Sequence, residues 1–266
     1  MAAVLQHLQR GSTGPAVSVL QQRLNEEGAT PPLEVDGIFG ARTEAAVKAF
    51  QSSQGLEPDG IVGPLTRAAL GIAEPGPERG GNLTDLVPIP ADINPGFTFC
   101  RQTTMLNTLG RPCTLSADCT QVTNERVLNL LVENEDVGPF RVSGLGPAVE
   151  ALKRIFAEVQ AQEPALFAAL GTAGMLCCRR VRTTDGSISP NFSNHSWGTA
   201  VDIKIDSQLD PRNDGQALRG LLMLHPFFNR EGFFWGAGFG GTSEDSMHFE
   251  AADELVRDWQ QQGLLG

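Results

Sequence analysis

Apolar residues recur at helical spacing in several parts of the chain. One such stretch follows the pair Gly14-Pro15, where a proline suits the first turn of a helix. The same spacing of apolar positions returns over residues 124–133 and 146–162. We therefore predict a helix in each of these stretches, with its apolar face turned into a core.

Shorter apolar stretches in the second half of the chain favour strands. Residues 175–181 are partly apolar and lead into a polar loop, and residues 201–205 alternate apolar and polar positions. In a strand over 201–205 this alternation places Asp202 on the face opposite its apolar neighbours. A strand at Phe249 and a helix over 252–262 complete the pattern.

The first part of the chain contains an internal repeat. The sequence over 36–47 recurs over 59–70 with seven of twelve positions identical, and both copies begin with Asp-Gly. Asp-Gly favours a tight turn, and the Ala-Ala pair near the end of each copy suits a short helix. We predict a small domain of three helices over residues 1–71.

The composition then changes. Residues 72–96 are rich in proline, glycine, glutamate and asparagine, which is typical of a linker. Residues 97–266 hold the remaining predicted helices and strands. The predicted fold class is therefore α+β, with a three-helix domain followed by a domain that has a small antiparallel sheet flanked by helices.

The charge of the chain excludes some partners. A formal net charge of -11 disfavours binding to nucleic acid or to anionic lipid, since both need an excess of lysine and arginine. No apolar run approaches the roughly 20 residues that cross a bilayer, and residues 1–8 lack the pattern of a signal peptide. We expect a monomer that neither binds nucleic acid nor inserts into a membrane.

The cysteine count leaves the redox state open. There are five cysteines, so at least one is unpaired within a monomer, and none forms a CxxC pair. Cys113 and Cys119 either pair in an oxidising compartment or stay reduced. A zinc site built from cysteines is not expected.

Candidate metal ligands occur in two segments. His195 and Asp202 lie seven positions apart, and His248 lies among acidic residues over 244–250. A catalytic zinc ion takes about three nitrogen or oxygen ligands from the protein and leaves a position for water. We therefore predict a zinc ion (Zn2+) bound by His195, Asp202 and His248, with an acidic neighbour of His248 as the base.

These residues also carry a family resemblance. The sequence reproduces the motif Ser-x-His-x-x-Gly-x-Ala-x-Asp of the VanY-type D-alanyl-D-alanine carboxypeptidases and related phage endolysin peptidases, at Ser193, His195, Gly198, Ala200 and Asp202. Asp245 and His248 resemble the second motif of that family. The resemblance implies zinc ligands at His195, Asp202 and His248, and a general base at Asp245.

The second motif departs from the family pattern at two positions. Many relatives have glutamate at the base position and tryptophan just before the last histidine, whereas this chain has Asp245 and Met247. Glu244 therefore stays open as an alternative base. Glu250 is expected to lie on the same side of its strand as His248 and to orient that imidazole.

Four further residues are candidates for substrate contacts. The resemblance implies that Arg179 or Arg182 holds a substrate carboxylate or the developing oxyanion, although both could simply lie on a solvated strand edge. Ser193 either hydrogen-bonds substrate or caps its turn, and Trp197 is expected to line the cleft.

Residues outside these motifs are assigned to packing or to the surface. Trp235 suits the cleft and the core equally well. His225 lies in an apolar stretch and is expected to be a partly buried core or loop residue, and His7 is expected at the surface.

The N-terminal repeat is similar to the widespread peptidoglycan-binding domain. The resemblance rests on Leu8-Gln-Arg-Gly11, on the repeated Asp-Gly-x-x-Gly-x-x-Thr and on Phe50-Gln51. It implies that bacterial peptidoglycan is the partner and that this domain has no catalytic group.

The two resemblances together imply an enzyme of the cell wall. The expected activity is that of a zinc peptidase that cuts stem peptides of peptidoglycan, as an L-alanyl-D-glutamate endopeptidase of the phage endolysin type. We expect such a protein to be made in the cytoplasm without a signal peptide and to act on the wall. The alternatives are a D-alanyl-D-alanine carboxypeptidase and a non-catalytic wall-binding protein.

Overall fold

The structure, a computed structural model, describes residues 8–72, 81–114, 116–182, 188–240 and 243–266. These residues form two compact units, one over 8–72 and one over 81–266. No helix in these ranges is long and apolar enough to cross a membrane. His7 lies outside the described residues.

The N-terminal unit consists of three helices around one small core. These are α1 (Pro15–Glu26), α2 (Ala41–Ser53) and α3 (Pro64–Ala69), which confirms the predicted three-helix fold. The buried side chains of its core come from Val17, Leu20, Leu24, Leu33, Phe39, Val47, Phe50, Val62 and Leu70.

A buried glutamine explains the first copy of the repeat. The Gln21 side chain on α1 is 1% exposed, and its amide group donates to Asp36 Oδ1 at 2.8 Å and to Thr43 Oγ1 at 3.3 Å. Its carbonyl oxygen accepts from the Gly37 N–H at 2.9 Å. Because a buried amide must be hydrogen-bonded, Gln21 fixes both the Asp-Gly turn and the threonine that follows it.

The second copy repeats this arrangement one helix later. The Gln51 amide on α2 donates to Asp59 Oδ1 at 2.7 Å and to Thr66 Oγ1 at 3.1 Å, and its carbonyl accepts from the Gly60 N–H at 2.9 Å. Each turn is thus locked to the helix that precedes it. The repeated aspartate, glycine and threonine are the partners of one buried side chain.

The C-terminal unit contains helices and antiparallel strands. Its helices are α4 (Gln102–Thr108), α5 (Glu125–Leu128), α6 (Gly146–Gln162), α7 (Pro164–Ala169), α8 (Arg219–Arg230) and α9 (Asp253–Gln261). Its strands are β1 (Leu86–Pro88), β2 (Leu131–Asp136), β3 (Arg141–Leu145), β4 (Leu170–Gly174), β5 (Arg180–Arg182), β6 (Ile188–Phe192), β7 (Ala200–Ile205), β8 (Gln216–Leu218), β9 (Phe233–Trp235) and β10 (His248–Ala251).

The central sheet has the strand order β4-β7-β10-β9, and all its pairs are antiparallel. Helix α6 buries Leu152, Ile155 and Phe156 in the core beside it. The predictions of a helix over 146–162, a strand over 201–205 and a final helix near 252–262 are confirmed. The α+β fold class is confirmed as well.

Two predicted elements are wrong in part. Only residues 125–128 of the helix predicted over 124–133 are helical, because residues 131–136 pair with β3 as a hairpin. This pairing overrides the helical spacing of the apolar residues. The strand predicted over 175–181 is replaced by β4 before it and β5 at its end.

The linker predicted over 72–96 is wrong for residues 81–96. Leu86–Pro88 form β1, which pairs with β8, and the Ile93 side chain is 5% exposed. Asn94 accepts from the Trp235 N–H at 2.7 Å and donates to its carbonyl oxygen at 3.0 Å. Since this segment supplies core and strand contacts, it belongs to the C-terminal unit. Residues 73–80 lie outside the described residues.

Four cysteines form two disulfides, Cys113–Cys178 and Cys119–Cys177. The pairing of Cys113 with Cys119 that the sequence left open is therefore wrong. Cys100 is a free, buried thiol. The two disulfides attach the loop that follows α4 to the segment just after β4.

Candidate metal centre

Three side chains converge at the centre of the sheet. His248 at the start of β10 lies directly opposite Asp202 of β7 in the antiparallel register. His195 lies in a short 3-10 turn over Asn194–Trp197, just before β7. One nitrogen from each imidazole and one Asp202 oxygen all lie within 4.8 Å of one another, so the predicted ligands are brought together.

The outer partner of His195 defines which of its nitrogens faces the cluster. The Nδ1 atom lies 2.8 Å from the Met175 carbonyl oxygen, and Nε2 lies 3.2 Å from Asp202 Oδ1. Because a carbonyl oxygen only accepts, Nδ1 carries the proton in this hydrogen bond. The Nε2 atom is therefore the one that faces the cluster.

His248 is arranged in the opposite sense. Its Nδ1 lies 3.0 Å from Asp202 Oδ1, and its Nε2 lies 2.9 Å from Glu250 Oε2. The Glu250 carboxylate also accepts from the Asn194 amide at 2.8 Å and from the Cys100 N–H at 2.9 Å. A carboxylate fixed in this way orients the imidazole and leaves Nδ1 for the cluster.

The charges of the cluster depend on burial and on one another. Burial opposes the ionisation of Asp202, but His195 and His248 outweigh it and hold the pKa of Asp202 well below its usual range. Burial also opposes the charge on His248, but hydrogen bonds to Asp202 and Glu250 outweigh it and raise the pKa of His248 to about 10. The cluster is thus poised to exchange a proton for a cation.

The donor set fits a divalent transition metal. Two imidazole nitrogens and one carboxylate oxygen are borderline ligands that suit such ions, and each histidine has its other nitrogen hydrogen-bonded. Three ligands leave a coordination position open, which is the pattern of a catalytic site rather than a structural one.

Steric contacts explain why the first motif has a glycine at position 198. Gly198 follows the turn that carries His195, with φ at 68°. A Cβ atom at this position would lie 2.7 Å from Gly144 Cα and from the Leu145 nitrogen. The chain can therefore turn from His195 into β7 only with a glycine here.

Asp245 lies beside the cluster, on the turn before β10. Its carbonyl oxygen accepts from the His248 N–H at 3.1 Å. Its Oδ2 atom pairs with Arg212 Nη2 at 2.9 Å, and its buried Oδ1 has no hydrogen-bond partner among the described residues. Burial raises the pKa of Asp245, although the charges of His248 and Arg212 act in the opposite direction.

Glu244, the alternative base, is held in another way. Its side chain is 7% exposed, and Oε1 accepts from the Ser246 hydroxyl at 2.6 Å. Ser246 in turn fixes Trp235, since the Ser246 carbonyl accepts from the indole N–H at 2.6 Å. Trp235 is fully buried, so its position is one of packing under the turn that carries Asp245.

The residues predicted to contact substrate lie in different surroundings around the His195 turn. The backbone of Arg179 binds both ends of the His195 turn, accepting from the Ser193 N–H at 2.9 Å and from the Ser196 hydroxyl at 3.0 Å. Its guanidinium donates to the Arg180 carbonyl at 3.1 Å. Arg182 ends β5, and its side chain lies outside the described part of the structure. Ser193 is 6% exposed and makes no side-chain capping bond.

The structure contradicts the prediction that Trp197 lines the cleft. This side chain is fully buried, packs edge-on against Phe192 and donates its indole N–H to the Gly110 carbonyl at 2.9 Å. A side chain with no exposed surface makes no substrate contact. His225 is partly buried, as expected; it stacks on Trp235, and burial lowers its pKa to about 4.

Arg212 is a site residue that the sequence did not reveal. It lies in the loop between β7 and β8, among proline, asparagine and aspartate, where no periodicity or motif distinguishes it. Only the fold brings it to Asp245.

Comparison with protein families agrees with this geometry. Residues 187–251 match the family described as D-alanyl-D-alanine carboxypeptidase, and residues 13–70 match the peptidoglycan binding domain family. One segment of the chain is thus similar to a peptidoglycan binding domain and another to the carboxypeptidase family. The match over residues 187–251 contains all three clustered ligands and Asp245. Both resemblances seen in the sequence are therefore confirmed.

Individual relatives match over shorter segments. The chain is 50% identical over 60 residues to the zinc D-Ala-D-Ala carboxypeptidase of Streptomyces albus G, a match that covers 22% of this chain and 24% of the relative. It is 38% identical over 90 residues to the N-acetylmuramoyl-L-alanine amidase CwlL of Bacillus licheniformis, covering 32% and 25%. Another curated relative, from Kitasatospora aureofaciens, is matched over 53% of its length at 51% identity.

Among solved structures, the crystal structure of the SleB N-terminal domain is 40% identical. That match covers 27% of this chain and 97% of the other, with a TM-score of 0.25. By contrast, the chain spans about half or less of the length of the first curated relatives that it matches.

Proposed function

We propose that this protein is a zinc peptidase that hydrolyses amide bonds in the stem peptides of bacterial peptidoglycan, acting as an L-alanyl-D-glutamate endopeptidase of the endolysin type. The observation that carries the proposal is the convergence of His195, Asp202 and His248 beside Asp245. A peptidoglycan binding domain in the same chain supports a polymeric wall substrate and an action at the cell wall.

Zinc fits the three-residue cluster. His195 would hold the ion through Nε2, His248 through Nδ1, and Asp202 through its carboxylate, since these are the atoms that face one another. A zinc ion bound there supplies a Lewis acid that polarises a carbonyl group and allows water to ionise near neutral pH. The name of the Streptomyces relative, a zinc carboxypeptidase, supports the choice of metal.

The protein's own part in the reaction is proton transfer. Oδ1 of Asp245, like Oε2 of Glu244, is a buried carboxylate oxygen without a hydrogen-bond partner among the described residues. Because Asp245 interacts directly with the charges of the cluster, we assign to its Oδ1 the proton of the attacking water. The same oxygen returns that proton to the leaving amine when the amide bond breaks. His195 keeps a proton on Nδ1, which donates to the Met175 carbonyl, and His248 keeps one on Nε2, which donates to the Glu250 carboxylate, so neither proton is part of this transfer.

Substrate binding is proposed from the arginines near the site. The pair Arg179 and Arg182 precedes the His195 turn in a spacing that resembles the endopeptidases, and either can hold a substrate carboxylate or stabilise the oxyanion. Ser193 stays a candidate for a backbone or hydroxyl contact at the edge of the turn.

The two disulfides are typical of proteins that act outside the reducing cytosol.

A second activity has its own support. The matched family is described as D-alanyl-D-alanine carboxypeptidase, and so is the Streptomyces relative. This activity uses the same metal and the same proton transfer, but it needs a pocket for the terminal carboxylate of the substrate.

Product analysis separates these functions. Purified sacculi are incubated with the zinc-loaded protein, with the chelated protein and with Asp245→Ala, and the released products are identified by mass spectrometry. Peptides that begin at D-glutamate establish the endopeptidase, whereas loss of a single alanine establishes the carboxypeptidase. Binding to sacculi without any zinc-dependent product would refute both and leave a wall-binding protein.

A further inference from the structure

We infer that Arg212 is a positioning residue that holds the Asp245 carboxylate in the orientation needed for proton transfer. The inference rests on the proposed function, because it assigns a role to Asp245 in the reaction. It adds a residue that the motifs of the sequence do not contain.

The two oxygens of Asp245 have different environments. Oδ2 lies 2.9 Å from Arg212 Nη2, whereas the buried Oδ1 has no partner among the described residues. The Asp245 side chain is 15% exposed and that of Arg212 is 35% exposed, so the ion pair is shielded from water mainly on the side of the carboxylate. A carboxylate held by one oxygen presents the other in a fixed direction.

Charges of both signs surround the Asp245 carboxylate. The negative charge of Asp202 acts on Asp245, and Asp245 and Glu244 both act on the buried Asp210. Several carboxylates are thus close to one another, and like charges repel when they are buried. Arg212 supplies a cation on the side of Oδ2, and together with the charge of His248 it opposes this repulsion.

The loop that carries Arg212 is itself fixed to the sheet. Asp210 is 3% exposed, and its Oδ1 accepts from the Leu218 N–H at 2.5 Å. The backbones of Ile205 and Gln208 exchange two hydrogen bonds, of 2.8 Å and 3.1 Å, where the loop leaves β7. Because β7 also carries Asp202, the loop ties Arg212 to the same strand as a metal ligand.

The test uses Arg212→Ala and Arg212→Lys with a soluble muropeptide substrate. Misplacing a reacting group by about 1 Å costs up to about 100-fold in rate, so kcat of Arg212→Ala should fall roughly 10- to 100-fold with KM within about twofold. Arg212→Lys should retain part of kcat, since lysine keeps the positive charge but lacks the planar set of N–H donors of the guanidinium. Added methylguanidine should restore part of the activity of Arg212→Ala.

Arg154→Ala is the matched control. It removes another arginine from an ion pair, with Glu231 at 2.7 Å, and its side chain is 58% exposed. It should leave kcat, KM and zinc content unchanged. A rise in KM alone on Arg212→Ala would instead make Arg212 a substrate-binding residue and overturn the inference.

A double mutant isolates the role of Asp245. If Arg212 acts through Asp245, adding Arg212→Ala to Asp245→Ala should cause no further loss of kcat. A further loss of tenfold would overturn the inference. Full activity of Asp245→Ala would instead refute the proposed base, whatever Arg212 does.

A structural readout is independent of activity. The crystal structure of metal-free Arg212→Ala should show the Asp245 side chain in a new rotamer or in several. An unchanged, fully ordered Asp245 would overturn the inference even if the protein had no peptidase activity.

Discussion

The carboxylate of Glu250 offers a direct test of how the metal centre is built. This side chain is 3% exposed and accepts three hydrogen bonds, from His248 Nε2, the Asn194 amide and the Cys100 N–H. Glutamine has almost the same shape but only one accepting oxygen. In Glu250→Gln, at least one of these buried donors must therefore face an amide N–H.

The expected loss can be estimated from these contacts. Changing the partner of a metal-bound histidine typically weakens metal affinity by about 10- to 100-fold, which is about 1.4–2.7 kcal/mol. An unpaired buried donor costs about 1–3 kcal/mol of folding free energy. We expect the dissociation constant for zinc to rise in this range, and the metal-free protein to unfold at lower urea concentration.

Zinc affinity is measured by competition with a chromophoric chelator at fixed pH, and stability by urea unfolding of the metal-free protein. Glu254→Gln is the matched control, because Glu254 accepts from the Thr98 N–H and hydroxyl at an exposed position on α9. It should change zinc affinity less than twofold. If folded Glu250→Gln bound zinc as tightly as the wild type, the assignment of Glu250 as the support of His248 would be wrong.

Three further predictions concern protons and packing. Zinc must displace the proton of His248, whose pKa is raised to about 10, so zinc affinity should rise with pH from 6 to 9. Calorimetry in buffers of different ionisation enthalpy should show the release of about one proton on zinc binding. Burial and the charge of Glu244 raise the pKa of Asp210 to about 7, so ionisation of Asp210 lowers the free energy of unfolding as the pH rises from about 4 to 7. In urea unfolding, the free energy of unfolding of Asp210→Asn relative to the wild type should rise by about 2 kcal/mol between pH 5 and pH 8. Gly198→Ala, whose added Cβ would lie 2.7 Å from Gly144 Cα, should yield protein with a lower melting temperature and reduced zinc content; a melting temperature equal to that of the wild type would refute the steric argument.

The sequence allowed the metal ligands to be predicted because their chemistry restricts the residue types. Histidine and aspartate in a motif with a fixed glycine point to one geometry, and the antiparallel pairing of β7 with β10 brings Asp202 and His248 face to face. The long helix α6 was also predictable, since it buries one face from Ala148 to Val159.

Elements that depend on distant partners were not predictable in this way. Residues 81–96 have the composition of a linker, yet β1 pairs with β8, more than a hundred positions away. Trp197 looked suited to a cleft, but its place under the turn is set by Gly110 and Phe192, which belong to other elements. A local pattern carries no information about such contacts.

The same distinction explains which site residues were missed. Arg212 holds Asp245 through Oδ2, although it belongs to no motif or periodic pattern of the sequence. It acts by pairing with a carboxylate of the second motif. Glu250 could be predicted only because it lies two positions from His248 on one strand, so that alternation places both on the same face. Supporting residues can thus be read from a sequence when they share an element with the motif, and otherwise only from the fold.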